Sequence, residues 1–297
     1  MKKKIFITLL TAGSLLSSCQ KQILDVDQLD VINLEQYYSN LTDPKAESLI
    51  ASVYKTAYGV TNNNWYNMMH GYTDDCVGGG GFATALNSSN HTSSSFYTTL
   101  YYLNYECNLI IENMSEDSAV KKQVMGEAYF WRAWAYYQLI RGWGTPPLAD
   151  HVLGSGELSP ANGTATELWG YVEQSLEQAY NRLPEKTALG EQRSIGGRVT
   201  KGSALALWGK AQVYQSKWGE AAATLKQIID GGKYDLSPDF TQLYHMAADF
   251  SDEYMWEWNS DDNASASTFT NEGDDRGIRM QWNNSYVVVP GGIQERG

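Results

Sequence analysis

Apolar positions spaced three and four apart recur through the middle of the chain and predict helices. The first stripe is Leu49, Val53 and Ala57, in a segment opened by Asp43-Pro44 and closed by Gly59. An aspartate oxygen suits a helix cap, and proline is tolerated at the first position because its missing N–H would have no partner there. A second stripe runs through Leu100, Leu103, Cys107, Ile110 or Ile111, and Met114. A third reads Val124, Ala128, Trp131, Ala135 and Leu139 and stops at Gly142-Trp143-Gly144, with Pro146-Pro147 beyond. From about Thr166 a fourth turns Leu168, Val172, Leu176, Ala179 and Leu183 inward ahead of Pro184. A closing pair has Ala204, Leu207 or Trp208, Ala211 and Tyr214 on one helix, and Trp218, Ala222, Leu225 and Ile229 on the next, ended by Gly231-Gly232. The chain is therefore expected to be mainly α: tetratricopeptide-like helical pairs with long irregular loops and a few short strands. The tight turn at Gln215-Ser216-Lys217-Trp218 and the small residues at helix crossings carry that likeness, without a strict repeat period.

The segments between and beyond these helices differ in texture. Residues 20–42 read as an extended polar tether. Thr61 to Ser95 is rich in Asn, Gly, Ser and Thr and includes Gly78-Gly79-Gly80-Gly81. Such a loop inside a compact domain is usually functional or disordered. Glu253-Tyr254-Met255-Trp256-Glu257-Trp258 alternates as a short strand does, and Tyr286 to Val289 is a second β-favouring run after the acidic stretch from Asn259 to Gly277.

The first residues carry a different signal. Lys2, Lys3 and Lys4 precede an uncharged apolar run from Ile5 to Leu16, followed by Leu16-Ser17-Ser18-Cys19. A basic start, a short apolar run and two small residues before a cysteine form a bacterial lipoprotein signal. The run is too short to span a bilayer comfortably, so residues 1–18 read as removable and Cys19 as the lipidated first residue of the mature chain. An ordinary secretory signal with a chance cysteine is the alternative. No second apolar stretch approaches transmembrane length.

Charge and side-chain chemistry narrow the function. A net charge of −12 argues against nucleic acid, which is held by clustered Lys and Arg. Ten Trp and twenty Tyr suit either a large helical core or a recognition surface, since both rings pair a flat apolar face with a polar tip. Besides Cys19 there are Cys76 and Cys107, which form no metal-ligand spacing; they could pair, although Cys107 reads as a buried small hydrophobe on its helix. The four histidines, at positions 70, 91, 151 and 245, share no helical face, so neither a metal nor a cofactor is expected. Lys201-Gly202-Ser203 reverses the Gly-Lys-Ser order of a phosphate-binding loop. Glu127 and Arg132 read as a partly buried structural ion pair rather than a catalytic one. The pairs Asp74-Asp75, Asp261-Asp262 and Asp274-Asp275 lie in polar loops, where solvation or weak calcium binding is commoner than glycoside hydrolysis.

Three segments together resemble the SusD/RagB family of Bacteroidetes outer-membrane nutrient-binding lipoproteins. Glu127-Ala128-Tyr129-Phe130-Trp131-Arg132-Ala133-Trp134-Ala135-Tyr136-Tyr137-Gln138-Leu139, then Trp143-Gly144-Thr145-Pro146-Pro147-Leu148, is similar to the family's E-A-x-F-x-R-A-x-x-Y-F-x-L and F-G-x-(V/I)-P-L runs. Gly197-Arg198-Val199-Thr200-Lys201-Gly202-Ser203-Ala204-Leu205-Ala206-Leu207, followed by Trp218-Gly219-Glu220-Ala221, resembles its G-R-(V/A)-(T/S)-K-x-A-A-x-A-L helix and the W-x-x-A after it. The lipoprotein signal with Ile23-Leu24-Asp25 completes the likeness, which covers Cys19 to about Asn259. It divides the chain into a signal (1–18), a tether (19–42), a helical repeat domain (43–233) and the start of an incomplete C-terminal region (234–297). Family members continue well past this point, so the chain reads as a fragment of a longer frame or a shortened paralogue.

The resemblance implies an outer-membrane lipoprotein that faces the cell surface, binds a glycan or oligosaccharide and hands it to a SusC-like TonB-dependent transporter, making and breaking no bond. The alternatives are a helical-repeat scaffold lipoprotein and a glycan hydrolase. Within the long loop, Trp65, Tyr66, Tyr72, Asp74 and Asp75 interleave rings with carboxylates, as stacking on sugar C–H faces and bonding to sugar hydroxyls require. These five are the expected platform, with Asn259 or Trp282 facing it from the later segment. A loop that packs its own aromatics beneath it would have the same composition.

Overall fold

The computed structural model describes residues 34–60, 94–157, 159–187, 197–245 and 248–258, and the chain divides into two units, Met1–Asn40 and Leu41–Gly297. In the first unit Leu34–Ser39 forms a short helix, α1, in the stretch expected to be extended. Asn40 and Ser39 close its end by donating to the Gln36 carbonyl at 3.0 and 3.2 Å.

The second unit is a stack of helices: α2 (Asp43–Val60), α3 (Ser94–Asn113), α4 (Ala119–Trp143), α5 (Ala165–Arg182), α6 (Lys201–Tyr214) and α7 (Trp218–Gly231), followed by a 3₁₀ turn at Phe240–Tyr244. The hub is α4, which packs against α2, α3 and α5; α5 then packs on α6, and α6 on α7. A helix surrounded in this way must be apolar on every side. Val124, Ala128, Trp131, Ala135, Tyr136 and Leu139 accordingly lose all contact with solvent. Gly126 sets the α4–α5 approach, since a Cβ there would lie 2.9 Å from the Cβ of Arg182.

The ends of the helices follow from their capping residues. Ser118 Oγ accepts from the Lys121 amide at 3.1 Å and donates to Asp43 at 2.7 Å, which ties the start of α4 to that of α2. Thr164 and Glu167 form a reciprocal capping box at α5, and Gly144 ends α4 with a positive φ of 73°. The buried stripes of α3 to α5 are those the sequence predicts; on α2 Val53 and Ala57 are buried as expected, but Ile50 is buried in place of Leu49, which stays partly exposed. Cys107 is a buried free thiol whose pKa is pushed up by that burial.

Two further expectations do not hold. The stripe Trp218, Ala222, Leu225, Ile229 does not face inward: Ala221, Thr224 and Ile228 are buried, while Trp218 is 63 % and Ile229 76 % exposed. The α6–α7 crossing explains this. A Cβ on Gly209 would fall 2.5 Å from the Leu225 side chain, so Leu225 is the member of that stripe that meets α6, half-buried. The buried positions of α7 shift to Ala221, Thr224 and Ile228 and leave the Trp218 indole outside. Trp208 and Tyr214 of the same pair are likewise only partly covered. Nor is Glu253–Trp258 a strand, for these residues form turns and bends. Among the described residues the one β pairing is an isolated antiparallel bridge between Pro147 and Asn162.

Candidate functional site: an aromatic cluster on α2, α4 and the 248–258 strap

The segment from residue 248 to 258 lies as a strap across the helical core. Its backbone is held by side chains: Ser203 Oγ donates to the Met255 carbonyl at 2.7 Å, and Lys186 Nζ donates to the carbonyls of Tyr254, at 3.1 Å, and Ser251. In return the Trp256 indole N–H donates to the Gly197 carbonyl at 2.6 Å. Carbonyls satisfied in this way need no neighbouring strand, which is why an alternating sequence adopts an irregular path.

The strap carries Trp256 and Trp258 onto rings from two helices. Trp131 of α4 sits at the centre, fully buried, with Trp256 at 5.2 Å edge-on, Trp258 at 5.9 Å stacked, Tyr54 at 5.1 Å and Trp134 at 5.6 Å. Trp256 and Trp258 meet edge to face at 4.5 Å, and Tyr58 closes on Trp258 at 5.0 Å. These separations are those of favourable aromatic pairs, each contributing roughly 0.5–1.5 kcal/mol beyond buried area. Tyr54, Tyr58, Trp134, Trp256 and Trp258 stay partly exposed, so the cluster has a buried centre and an accessible rim. The Trp258 indole N–H is buried without a partner among the described residues.

Beneath the rim lies an ion network. Arg198 donates through Nε and Nη2 to the two carboxylate oxygens of Glu127 at 2.7 and 3.1 Å, and through Nη1 to Glu47 at 2.9 Å. Gln123 adds a bond to Glu127 at 3.1 Å. Burial pushes the Glu127 carboxyl above its ordinary value, and Arg198 pulls it part of the way back. Burial also disfavours the guanidinium charge, but its bonds to Glu127 outweigh this and hold the Arg198 pKa up. The Glu127–Arg132 pair expected from the sequence is not formed. Arg132 instead donates to Ser175 at 3.0 Å and Asn108 at 3.3 Å and lies over the Tyr129 and Tyr171 rings, because it projects toward α3 and α5 while Glu127 faces residue 198.

The expected site residues Trp65, Tyr66, Tyr72, Asp74, Asp75, Asn259 and Trp282, and Cys19, the residue expected to be lipidated, all lie outside the described residues. The structure supplies the ends of the two segments that carry most of them. Val60 precedes residues 61–93 and Trp258 precedes residues 259–297, and the Tyr58 and Trp258 rings are in contact. Sequence reasoning missed Tyr54, Tyr58, Trp134, Trp256 and Trp258 as site residues. The available signals were the four-residue spacing of Tyr54 and Tyr58 on one helix face and the paired indoles of the strap.

Comparison with known proteins agrees with this architecture. A SusD-like family model described as "Starch-binding associating with outer membrane" matches residues 15–214. A SusD-like protein of Formosa agariphila is 26% identical over 256 residues, covering 81% of this chain and 48% of that protein. The chain thus spans about half the length of that relative. A SusD-like protein of Bacteroides fragilis has a similar fold, with a TM-score of 0.63 at 17% identity over 74% of this chain and 46% of the other. A laminarin-binding SusD-like protein gives a TM-score of 0.59 at 24% identity, covering 72% and 50%. Since the family model takes in α2 to α6 together with the Gly126–Leu148 and Gly197–Leu207 runs, the chain belongs to the SusD-like family.

Proposed function

We propose that the chain binds a glycan or oligosaccharide by aromatic stacking at the rim formed by α2 and the strap. The contact between Tyr58 and Trp258, 5.0 Å between ring centroids, carries this reading. Tyr58 stands near the end of the described helix that precedes the segment holding Trp65, Tyr66, Tyr72, Asp74 and Asp75. Trp258 is the last described residue before the segment holding Asn259 and Trp282, so their contact supports a shared site for those residues. Rings supply the flat apolar faces a sugar stacks on, and the carboxylates and amides of the two segments supply partners for its hydroxyls. One structural neighbour of the same fold is a laminarin-binding protein, which agrees with the carbohydrate class.

In this reading the protein is a lipoprotein of the outer membrane, anchored through Cys19 after removal of residues 1–18, and it faces the cell surface. Residues 19–42 tether it, 43–233 form the helical repeat domain, and 234–297 begin the C-terminal region. The bound glycan passes to a SusC-like TonB-dependent transporter, and the role is capture and hand-off without bond cleavage.

A glycan microarray probed with the chain from residue 20 onward, followed by calorimetry, tests the binding. Retention of at least one glycan class without release of shorter products is expected. Retention of none removes the reading, and product release turns it into a hydrolase. Cys19→Ala should move the protein from the membrane pellet to the soluble fraction.

A further inference from the structure

We propose that Lys186 is the positioning residue of the aromatic site: it fixes Trp256 and Trp258 against the core by holding the strap from beneath. Lys186 follows α5, four residues beyond Arg182, and is 6 % exposed. Lysine is rarely buried to this degree unless its ammonium is paired. Here it donates to the Ser251 carbonyl and, at 3.1 Å, to the Tyr254 carbonyl. It lies 3.8 Å from the Asp252 carboxylate and 4.9 Å over the Tyr234 ring. All of these partners lie C-terminal to α7, and three belong to the strap itself.

The arrangement treats the strap as a graft. Three inward carbonyls, those of Ser251, Tyr254 and Met255, are satisfied by side chains from elsewhere in the chain, two of them by Lys186 and one by Ser203. Within the strap, Ser251 bonds back to Ala248 at 2.9 Å and Tyr254 to Ser251 at 3.1 Å. Those bonds fix its local turns but not its place on the core. The Asp235 amide donates to the Asp252 carbonyl at 3.1 Å, the Ser237 amide to Glu253 and the Tyr254 hydroxyl to the Leu243 carbonyl at 2.5 Å, which ties the strap to the segment after α7. Its bonds to the α5–α6 side come from Lys186, Ser203 and the Trp256–Gly197 pair, and of these Lys186 holds two carbonyls at once. A charged donor to a carbonyl is stronger than a neutral one; the Ser251 carbonyl also accepts from the Tyr254 amide, so it is the Tyr254 carbonyl that loses its donor when the ammonium is removed. Burial lowers the Lys186 pKa, while Asp252 and Glu257 push it back up, in keeping with an ammonium retained for its bonds.

The space under the strap shows what the device is for. The cavity lined by Lys186, Arg198, Thr200, Tyr254, Trp256 and Glu257 is about 20 Å³. That is room for about one water and far below the several hundred Å³ of a small-molecule pocket. The strap therefore packs closely on the core with its rings against Trp131 and only part of each ring at the surface, so a ligand meets the rim and not a pocket beneath it. Rings held in advance bind without the cost of ordering them.

The test uses the full chain labelled with 5-fluorotryptophan, with the Trp256, Trp258 and Trp169 resonances assigned by single Trp→Phe variants. Lys186→Met keeps the length and removes the charge and donors. The expected result is a shift or broadening of the Trp256 and Trp258 fluorine signals with Trp169 unchanged. Hydrogen exchange in residues 248–258 should also rise at least tenfold, with α4 within about twofold. Unchanged Trp256 and Trp258 signals in a folded Lys186→Met protein overturn the proposal. If that variant does not fold, Lys186→Gln is read in the same way, and failure of both to fold also overturns it, since Lys186 would then support the whole core. The bearing on ligand rests on the glycan reading above. A glycan retained by the unaltered chain should bind Lys186→Met at least tenfold more weakly. A chain that retains no glycan removes that reading and leaves the fluorine result to decide the role of Lys186.

Discussion

Arg198 grips both carboxylate oxygens of Glu127, at 2.7 and 3.1 Å, across 71 residues of sequence. Glu127 is wholly buried at the hub of the helical stack. The pair joins the loop ahead of α6 to the middle of α4, and Glu47 extends it to α2. The two helices that contribute rings to the rim, α2 and α4, are thereby fixed to each other and to the loop whose Gly197 carbonyl accepts from Trp256.

Removing the arginine should leave a buried carboxylate without its counter-charge. Arg198→Met is expected to cost about 3–5 kcal/mol at neutral pH, a large part of the stability of an ordinary domain. The deficit should depend on pH in a definite sense. The folded-state pKa of Glu127 is already raised by burial, and loss of Arg198 raises it further. A group with a raised folded value contributes stability that is present below the unfolded value, about 4.3, and lost as pH rises through the folded one. Urea unfolding at pH 5 and pH 8 should show the smaller deficit at pH 5. A deficit equal at both values would show that Glu127 is not the group left behind.

Trp131 is the centre of the ring cluster and has no exposed surface. Trp131→Ala is therefore expected to destabilise the protein by about 3–5 kcal/mol, through lost transfer energy and the cavity left behind. Trp218, on the outer face of α7, should behave in the opposite way. Trp218→Gln should change stability by less than about 0.5 kcal/mol, as surface substitutions usually do. Denaturant midpoints of the two variants, measured side by side, test the α7 register directly.

That contrast marks where the sequence could be read and where it could not. The stripes of α3, α4 and α5 were legible because each is repeated over several turns and flanked by caps, glycines or prolines. The register of α7 was not, because Trp218 and Ile229 outweigh Ala221 and Thr224 in apolarity, whereas of the expected stripe it is Leu225 that meets Gly209 and the buried positions are Ala221, Thr224 and Ile228. The partner of Glu127 was misread because Arg132 is close in sequence and Arg198 is close in space. Trp256 and Trp258 read as strand alternation, since nothing local shows that Lys186 and Ser203 take up the strap's carbonyls. The predicted site residues Trp65 to Asp75, Asn259 and Trp282 belong to segments outside the described residues, and only their points of departure are seen.

The loop after α4 carries an exposed histidine held at both ring nitrogens. His151 Nδ1 lies 2.7 Å from Asp150 and Nε2 lies 3.2 Å from Glu157, which also accepts the Gly154 amide at 2.9 Å. Bonds to both carboxylates require both nitrogens protonated, and first Asp150 and then Glu157 raise the His151 pKa. Support of the loop by this charge is present below the ordinary histidine value, about 6.5, and is lost as pH rises through the raised value. An NMR titration should place the His151 midpoint above 6.5, and Glu157→Gln should move it down. A midpoint at the ordinary value would mean the clamp does not form in solution.

Packing and recognition should separate at two positions around the rim, Tyr58 and Trp65. Tyr58 is partly exposed, meets Trp258 at 5.0 Å, and stands three residues before the segment that contains Trp65. Trp65 belongs to the Asn-, Gly-, Ser- and Thr-rich run from Thr61 to Ser95, which the sequence reads as a loop longer than a connector needs, and it falls in none of the predicted core stripes. Losing one well-placed stacking ring from a binding site costs about 2 kcal/mol or more, which is more than tenfold in affinity. Trp65→Ala should therefore weaken glycan binding by more than about tenfold and leave the melting temperature nearly unchanged. Tyr58→Ala should weaken binding as well, but with a measurable loss of stability, because its ring also packs on Trp258. Calorimetric titration with a glycan retained on the array, beside thermal unfolding, distinguishes the outcomes. Retained affinity with collapsed stability in Trp65→Ala would make Trp65 a packing residue and move the platform to another part of the rim.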